Sequence, residues 1–266
     1  MQSKKDIENT DFYSFRADAN VLGGFLKLPI PKPIPTLAPV SLPAVGGFTT
    51  ASSEAFTLDS LISCGMASSH VAGQVLEDGA VAIESTAVVE DLNILEVVRA
   101  ERIVARLSIW IPKDGSGLKV STVGSTFEGL RLGDCHRNPW LNEELQRFER
   151  SPNGANRADA ERIGAVQVPR INQTFAGREN EKWAVNRSNW MNGTEKHGAG
   201  CSLVDGFEDQ RECGHVVDIP GFGRIFLGEL FITPYSAQLV SIRAELGCPI
   251  TGQITVNCAG GGGVHN

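Results

Sequence analysis

"GAVAIESTAVVEDLN" (residues 79–93) and "ERIVARLSIWI" (residues 101–111) decide the fold class of this chain. In the first stretch, one set of positions is Val81, Ile83, Ser85, Ala87 and Val89, which alternates with Ala82, Glu84, Thr86, Val88 and Glu90. In the second stretch, Ile103, Ala105, Leu107, Ile109 and Ile111 form one set, and Arg102, Arg106 and Ser108 belong to the other. Because successive side chains of a strand point to opposite faces, this alternation predicts two strands that each bury one face.

The same period of two residues returns near the C-terminus, in "RIFLGELF" (residues 224–231) and "AQLVSIRAEL" (residues 237–246). Asp114 and Gly115 predict a turn between strands. Helical periodicity is nearly absent from these regions. The sequence therefore predicts an all-β fold, an antiparallel β-sandwich or a barrel-like fold of jelly-roll type.

Proline recurs at nearly every second or third position from residue 28 to residue 43. Proline fixes φ and lacks an N–H donor, so this run predicts an extended strap. Apolar residues between the prolines are expected to lie against the core: Ile30, Ile34, Leu37, Val40 and Leu42. We therefore expect residues 1–45 to form an extended N-terminal arm with this strap, and the glycine-rich residues 259–266 to form a flexible tail.

The β pattern is interrupted between its first part, residues 46–133, and its second part, residues 216–258. We interpret residues 134–215 as a loop-rich, partly helical insertion. Its helix signal is "NPWLNEELQRFER" (residues 138–150), where Asn138 can cap, Pro139 suits the first helical position, and Leu141, Leu145 and Phe148 share a face.

Composition excludes two classes of partner. The formal net charge is −7, which gives no electrostatic reason to bind nucleic acid. No segment has the roughly 20 apolar residues that a membrane span requires. The N-terminal sequence has no apolar leader segment, so we expect either a cytosolic chain or one whose leader is absent from this sequence.

Six cysteines favour an extracellular chain with disulfides, since disulfides persist in oxidising compartments. The alternative is free thiols in a cytosolic protein. The sequence has no CxxC pair, which disfavours a zinc ribbon. Short loops favour pairing Cys201 with Cys213 and Cys248 with Cys258, which leaves Cys64 with Cys135, although 15 connectivities are open.

The chain resembles the bacterial choice-of-anchor proteins, specifically group P. The resemblance is carried by "VSLPAVGG" (residues 40–47), the strand run through Ala105, "GSTFEGLRL" (residues 124–132), "IPGFGRIFLGEL" (residues 219–230) and the strand at residues 237–246. It covers roughly residues 17–132 and 216–258. It implies a β-rich module that is secreted or lies on the cell surface, and it brings no catalytic residues. The insertion and the lack of a recognisable C-terminal anchor depart from the family pattern.

The insertion holds the candidate site residues. Trp140, Trp183 and Trp190 could stack on a sugar ring, with His136 and His197 nearby; the alternative is a small apolar core beneath the insertion. The histidines lack a spacing that would place two on one metal. The carboxylates of Asp205, Glu208 and Asp209 suit calcium, but the ligand set is incomplete, and a solvated turn is the alternative.

Two functions remain open. The first, which we prefer, is a secreted bacterial structural protein that self-assembles into a surface layer, filament or adhesive contact, by exchange of strands between neighbours. Its partners would be further copies, other surface proteins or polysaccharide. The second is a secreted carbohydrate-binding protein or hydrolase with its site in residues 134–215. No nucleophile motif supports catalysis, so we expect no enzyme.

Overall fold

The computed structural model describes residues 14–26, 31–147, 154–174, 198–208, 214–246 and 253–262. Two large antiparallel sheets dominate it. Sheet A contains β1 (Arg16–Val21), β2 (Gly23–Leu26), β3 (Lys32–Ile34), β4 (Leu37–Ser41), β16 (Ala199–Ser202), β18 (Val216–Ile219), β19 (Gly223–Ile232), β20 (Ser236–Leu246) and β21 (Gln253–Gly262). Its main path runs β16-β19-β20-β21-β1-β4, while β18 pairs with β19, and β2 joins β21 to β3.

Sheet B contains β5 (Gly47–Ser53), β6 (Phe56–Leu58), β7 (Ile62–Cys64), β8 (Ala67–Val75), β9 (Val81–Ile94), β10 (Val98–Ile111), β11 (Lys119–Ser121), β12 (Thr126–Glu128), β13 (Arg131–Leu132) and β14 (Cys135–His136). The central hairpin is β9 and β10. On one side of it, β8 pairs with β9 and carries β5, and β7 carries β6. On the other side, β11, β12 and β13 pair with β10, and β14 extends β13.

The two sheets pack face to face, and the antiparallel sandwich predicted from the alternation is confirmed. One core cluster joins Val21 and Leu22 of the sheet A region to Ile94 and Val98 of sheet B. A second joins Ala17 and Ala19 of β1 to Ile83, Leu107 and Ile109 of sheet B. Apolar side chains from both sheets thus share one interior, which is the arrangement of a β-sandwich.

The alternating sets of β9 and β10 lie as predicted. Register pairs Ala105 with Ala87 and Ile109 with Ile83, and all four are buried. The predicted turn at Asp114 is also present, because Gly115 has φ 70° and its N–H donates to the carbonyl of Pro112 at 3.3 Å.

The described part of the predicted N-terminal arm, from residue 14 onward, lies within the sandwich. Strand β1 lies inside sheet A between β21 and β4, and its Ala17, Ala19 and Val21 are buried. Of the strap residues, Ile34, Leu37, Val40 and Leu42 are buried as expected, whereas Ile30 lies outside the described residues.

The glycine-rich end is likewise not a free tail up to residue 262. Residues 259–262 continue β21, which hydrogen-bonds to β20 on one side and to β1 on the other. Pairing on both sides satisfies the backbone donors and acceptors, so the strand persists although glycine disfavours strands.

The predicted helix at residues 138–150 is wrong. Residues Pro139–Leu141 form β15, which pairs with β17 (Val204–Phe207) in a small separate sheet. A single turn follows, in which Asn142 Oδ1 accepts from the N–H groups of Glu144 and Leu145 at 3.1 and 3.3 Å. Pairing with a distant strand overrides a helical pattern that is only three turns long.

The helix that forms instead is α1 (Arg157–Thr174). Asn156 caps it: its Oδ1 accepts from the N–H groups of Ala158 and Asp159, while its own N–H donates to Asp159 Oδ2 at 2.9 Å. This reciprocal arrangement is a capping box. The buried face of α1 packs against β16, so this part of the predicted insertion is attached to sheet A. No helix among the described residues is long and apolar enough to cross a membrane.

Candidate ligand-binding groove

A groove of about 900 Å³ lies on the outer face of sheet B, which points away from sheet A. The side chains that turn inward from β9 and β10 form the core, and the alternate side chains line the groove. The groove therefore lies on the polar set of the two strands that decided the fold class. Its volume is within the range of ordinary ligand pockets.

Register arranges the lining residues in two rows across the strands. One row runs from Phe48 on β5 through Ala72, Glu84 and Ser108 to Ser121 on β11. Since neighbouring strands lie about 4.8 Å apart, the four steps of this row span about 19 Å. The length is that of an extended ligand and not of a single small molecule.

The second row runs Gln74, Ala82, Trp110 and Lys119 across β8 to β11. Ala82 is the smallest of the four, and the larger side chains stand around it. Small side chains leave the hollow: Ala82 in this row, and Ala72 and Ser108 on either side of Glu84 in the first row.

The groove ends at β5 and the turn before it on one side, and beside β11 on the other. At one end lie Val45 and Phe48, which are 89% and 75% exposed. At the other end, Gly154 lies beside β11, because Ala155 exchanges backbone hydrogen bonds with Val120 at 2.8 and 3.0 Å. The start of the α1 segment thus builds one wall.

One ion pair lies on the groove floor. Arg106 Nη2 donates to Glu84 Oε2 at 2.8 Å, and both side chains are partly exposed. Arg106 Nε is buried and has no hydrogen-bond partner among the described residues. The pair combines a guanidinium and a carboxylate that can each bond to a polar ligand.

The site residues predicted from the insertion do not line this groove. His136 on β14 is exposed, and Trp140 on β15 is half-buried opposite Gly206. Neither contributes to the groove wall. Trp183, Trp190 and His197 lie outside the described residues.

The predicted calcium ligands are occupied by hydrogen bonds. Asp205 Oδ1 accepts from Gln167 Nε2 at 2.7 Å, and Oδ2 accepts from Asn142 Nδ2 at 2.8 Å. Glu208 Oε2 accepts from Asn138 at 3.1 Å, and Asp209 lies outside the described residues. Asp205 therefore joins α1 to the turn after β15. Within the described part of the chain, no three His, Cys, Asp or Glu side chains group as metal ligands.

The predicted disulfide between Cys64 and Cys135 is not formed, and both are free thiols. Their strands, β7 and β14, are four strand steps apart in sheet B, which is about 19 Å and far beyond the roughly 7 Å Cα limit of a disulfide. Cys201 is also a free thiol, so its predicted pairing with Cys213 is corrected; Cys213 lies outside the described residues. Burial raises the pKa of the Cys64 and Cys201 thiols, which disfavours the reactive thiolate.

The pairing of Cys248 with Cys258 lies outside the described residues, since Cys248 is not described and only the backbone of Cys258 is.

The sequence analysis did not predict the groove, although the sequence contains one feature that indicates it. Trp110 shares a strand face with Arg106 and Ser108, and an aromatic residue on the polar face of a strand is a candidate for ligand contact.

Residues 12–233 match the family model described as "Domain of unknown function (DUF8256)". The match covers more than half of the chain and runs through the predicted insertion, so the chain belongs to this family. No curated protein and no solved structure matches the chain.

Proposed function

We propose that this DUF8256 member is a binding module that holds a polysaccharide chain in the groove of sheet B. The observation that carries the proposal is Trp110, which stands on the groove wall between Ala82 and Lys119. An aromatic ring offers a flat apolar surface to a sugar ring, and neighbouring polar side chains can bond to its hydroxyl groups.

The surrounding chemistry supports a polysaccharide. Gln74, Ser108 and Lys119 supply donors and acceptors along a groove of about 19 Å, while Phe48 adds a second aromatic ring, which is exposed. A nucleic acid is disfavoured by the net charge of −7. An extended peptide would be expected to pair with a strand edge instead of crossing a sheet face.

The groove supports binding and not hydrolysis. Glycoside hydrolysis commonly requires two carboxyl groups on either side of the scissile bond. Among the residues that line the groove, Glu84 is the one carboxylate, and it is paired with Arg106. The hydrolase expected as an alternative therefore receives no support from this site.

Extracellular location remains part of the proposal. Its support is the resemblance to the choice-of-anchor proteins, to which we also propose this chain is related. The three cysteines whose side chains the structure describes, Cys64, Cys135 and Cys201, are free thiols and give no support to the disulfide argument for an oxidising compartment.

Self-association is a second proposal. The described part of the N-terminal arm gives it no support, since β1 and β4 pair within their own sheet. A different feature does: within the described residues, β5 is hydrogen-bonded on one side only, to β8. An edge strand of this kind is a template for strand addition.

Affinity electrophoresis through gels that contain neutral, acidic or amino-sugar polysaccharides tests the groove. We expect at least one polysaccharide to retard the protein, and Trp110→Ala to weaken that binding at least tenfold. Tyr235→Ala is the matched control, because Tyr235 is an exposed aromatic residue that does not line the groove. Equal retardation of Trp110→Ala and wild type, or no retardation by any polysaccharide, would overturn the proposal.

A further inference from the structure

We propose that β5 pairs antiparallel with β5 of a second copy of this chain, so that the two B sheets become one continuous sheet with both grooves on the same face. This inference deepens the proposed self-association and rests on it, while its interface is independent of whether the groove binds polysaccharide. The partner is a second copy because the sequence of β5, "GFTTASS", suits pairing with itself.

A two-fold axis through Thr50 pairs the whole of β5 with its copy. Position 48 then faces position 52, position 49 faces position 51, and position 50 faces itself. Phe48, Thr50 and Ser52 all point outward and are exposed, so outward residues meet outward residues in this register. The pairing leaves every side chain on its own face of the sheet.

The β5 edge carries no residue that would block the addition of a strand. Residues 47–53 contain no charged side chain and no proline, whereas exposed edges of soluble proteins are commonly blocked by one or the other. The edge strand β4 of sheet A, for comparison, contains Pro39. Two chains of net charge −7 repel each other, and an uncharged strand is where their approach costs least.

Exposed apolar residues are concentrated beside the same edge. Seven large apolar side chains are exposed among the described residues, and three of them lie at one end of the β5–β8 pair: Val45, Phe48 and Val75. A partner strand on β5 would cover part of this patch. Apolar patches at a surface commonly mark interaction sites.

The pairing would place the two grooves on the same face of one continuous sheet. Phe48 lines one end of the groove and is on β5; because position 48 faces position 52, the two copies of Phe48 would lie on opposite sides of the axis, about 14 Å apart along the strands. A long polysaccharide could then contact both grooves at once, and two linked sites bind more tightly than one.

Sedimentation equilibrium of the full chain tests the interface. We expect wild type to dimerise, and added salt to strengthen the dimer, because salt screens the repulsion between two acidic chains. Thr50→Lys places two like charges opposite each other and should weaken dimerisation at least tenfold. Val166→Lys is the control, since Val166 is exposed on α1 and adds the same charge elsewhere.

Cross-linking tests the register. In a Cys135→Ser background, which removes the exposed native thiol, Thr50→Cys should give a covalent dimer under mild oxidation, and Val166→Cys should not. Because Thr50 is exposed, circular dichroism of each variant should match wild type, and Ser52→Lys provides a second edge variant.

The experiments distinguish a failure of the interface proposal from a failure of the groove proposal. A monomeric wild type, or a dimer that persists in Thr50→Lys and Ser52→Lys, overturns the interface and leaves the groove proposal unchanged. If the interface is right, monomeric Thr50→Lys should bind short oligosaccharides as wild type does but bind a long polysaccharide more weakly. A wild-type protein that dimerises but binds no saccharide would overturn the groove proposal and leave the interface proposal standing.

Discussion

Arg243 holds Glu229 with two parallel hydrogen bonds in the buried outer face of sheet A. Nε donates to Oε2 at 2.6 Å and Nη2 donates to Oε1 at 2.5 Å, with both side chains less than a tenth exposed. Arg243 also donates to Glu245, and its guanidinium stacks on Phe226 at 3.7 Å from the ring centre. One guanidinium thus compensates two buried carboxylates.

We predict that Arg243→Met destabilises the protein by about 3–5 kcal/mol, because it leaves two buried carboxylates without the guanidinium. Glu229→Gln should cost less, since Arg243 keeps Glu245. Urea unfolding measures both variants. If Glu229→Gln costs as much as Arg243→Met, the cation is not the shared centre of this cluster.

We predict that the free energy of unfolding depends on pH because of His215, which is fully buried. Burial, and secondly the charge of Arg243, lower the pKa of His215 from 6.5 to about 3. In the unfolded chain His215 takes up a proton near pH 6.5, whereas in the folded chain it stays neutral down to about pH 3. Between pH 6.5 and about pH 3 the unfolded state therefore binds more protons than the folded state. Lowering the pH in this range lowers the free energy of the unfolded state relative to the folded state.

Stability should consequently be lost between pH 6.5 and pH 3, with about 2 kcal/mol lost from this residue at pH 5. Unfolding measured at pH 7.5 and at pH 5 for wild type and His215→Gln gives the contribution as a difference. The same loss in both proteins would show that other groups cause it.

The fold was predictable where side chains alternate. The sets of β9 and β10 identified the core face correctly, since burial of one face imposes the period. The hairpin turn between them was not recognisable, because Leu95 and Glu96 adopt φ of 51° and 59° without the glycine or asparagine usual there. Pairing of β1 with β21 joins distant parts of the chain, and no local pattern encodes it.

Helix α1 was missed because its buried face is weakly apolar. The face has helical spacing and consists of Ala160, Ile163, Gly164, Gln167 and Val168. Gln167 is buried because its amide bonds to the backbone of Ser202 in both directions, at 2.8 and 2.9 Å. A hydrophobicity pattern cannot identify a face that is held by glycine and amide contacts.

Gly164 sets how closely α1 approaches β16. A β-carbon at this position would lie 2.4 Å from the carbonyl oxygen of Gly200. We predict that Gly164→Ala destabilises the protein by about 1–3 kcal/mol, although alanine favours helices by about 1 kcal/mol over glycine. Thermal unfolding compares it with Val166→Ala on the exposed face of the same helix. A stabilised Gly164→Ala would mean that the helix has room to move away from the strand.

The groove could not be found from cysteines and tryptophans in the insertion, because its residues come from five strands that register brings together. Trp110 lies on the polar face of β10 and pairs with Ala82. The depth of the groove depends on small residues such as Ala82. A larger side chain at position 82 therefore tests the groove while Trp110 stays in place.

We predict that Ala82→Leu abolishes polysaccharide retention in affinity electrophoresis, because a larger side chain fills the space between Gln74 and Trp110. The free energy of unfolding should change by no more than about 0.5 kcal/mol, since Ala82 points away from the core. Ala158→Leu, on the exposed face of α1, is the matched control and should bind as wild type does. If Ala82→Leu still binds while Trp110→Ala does not, the ligand contacts the tryptophan from outside the hollow and does not lie along the groove floor.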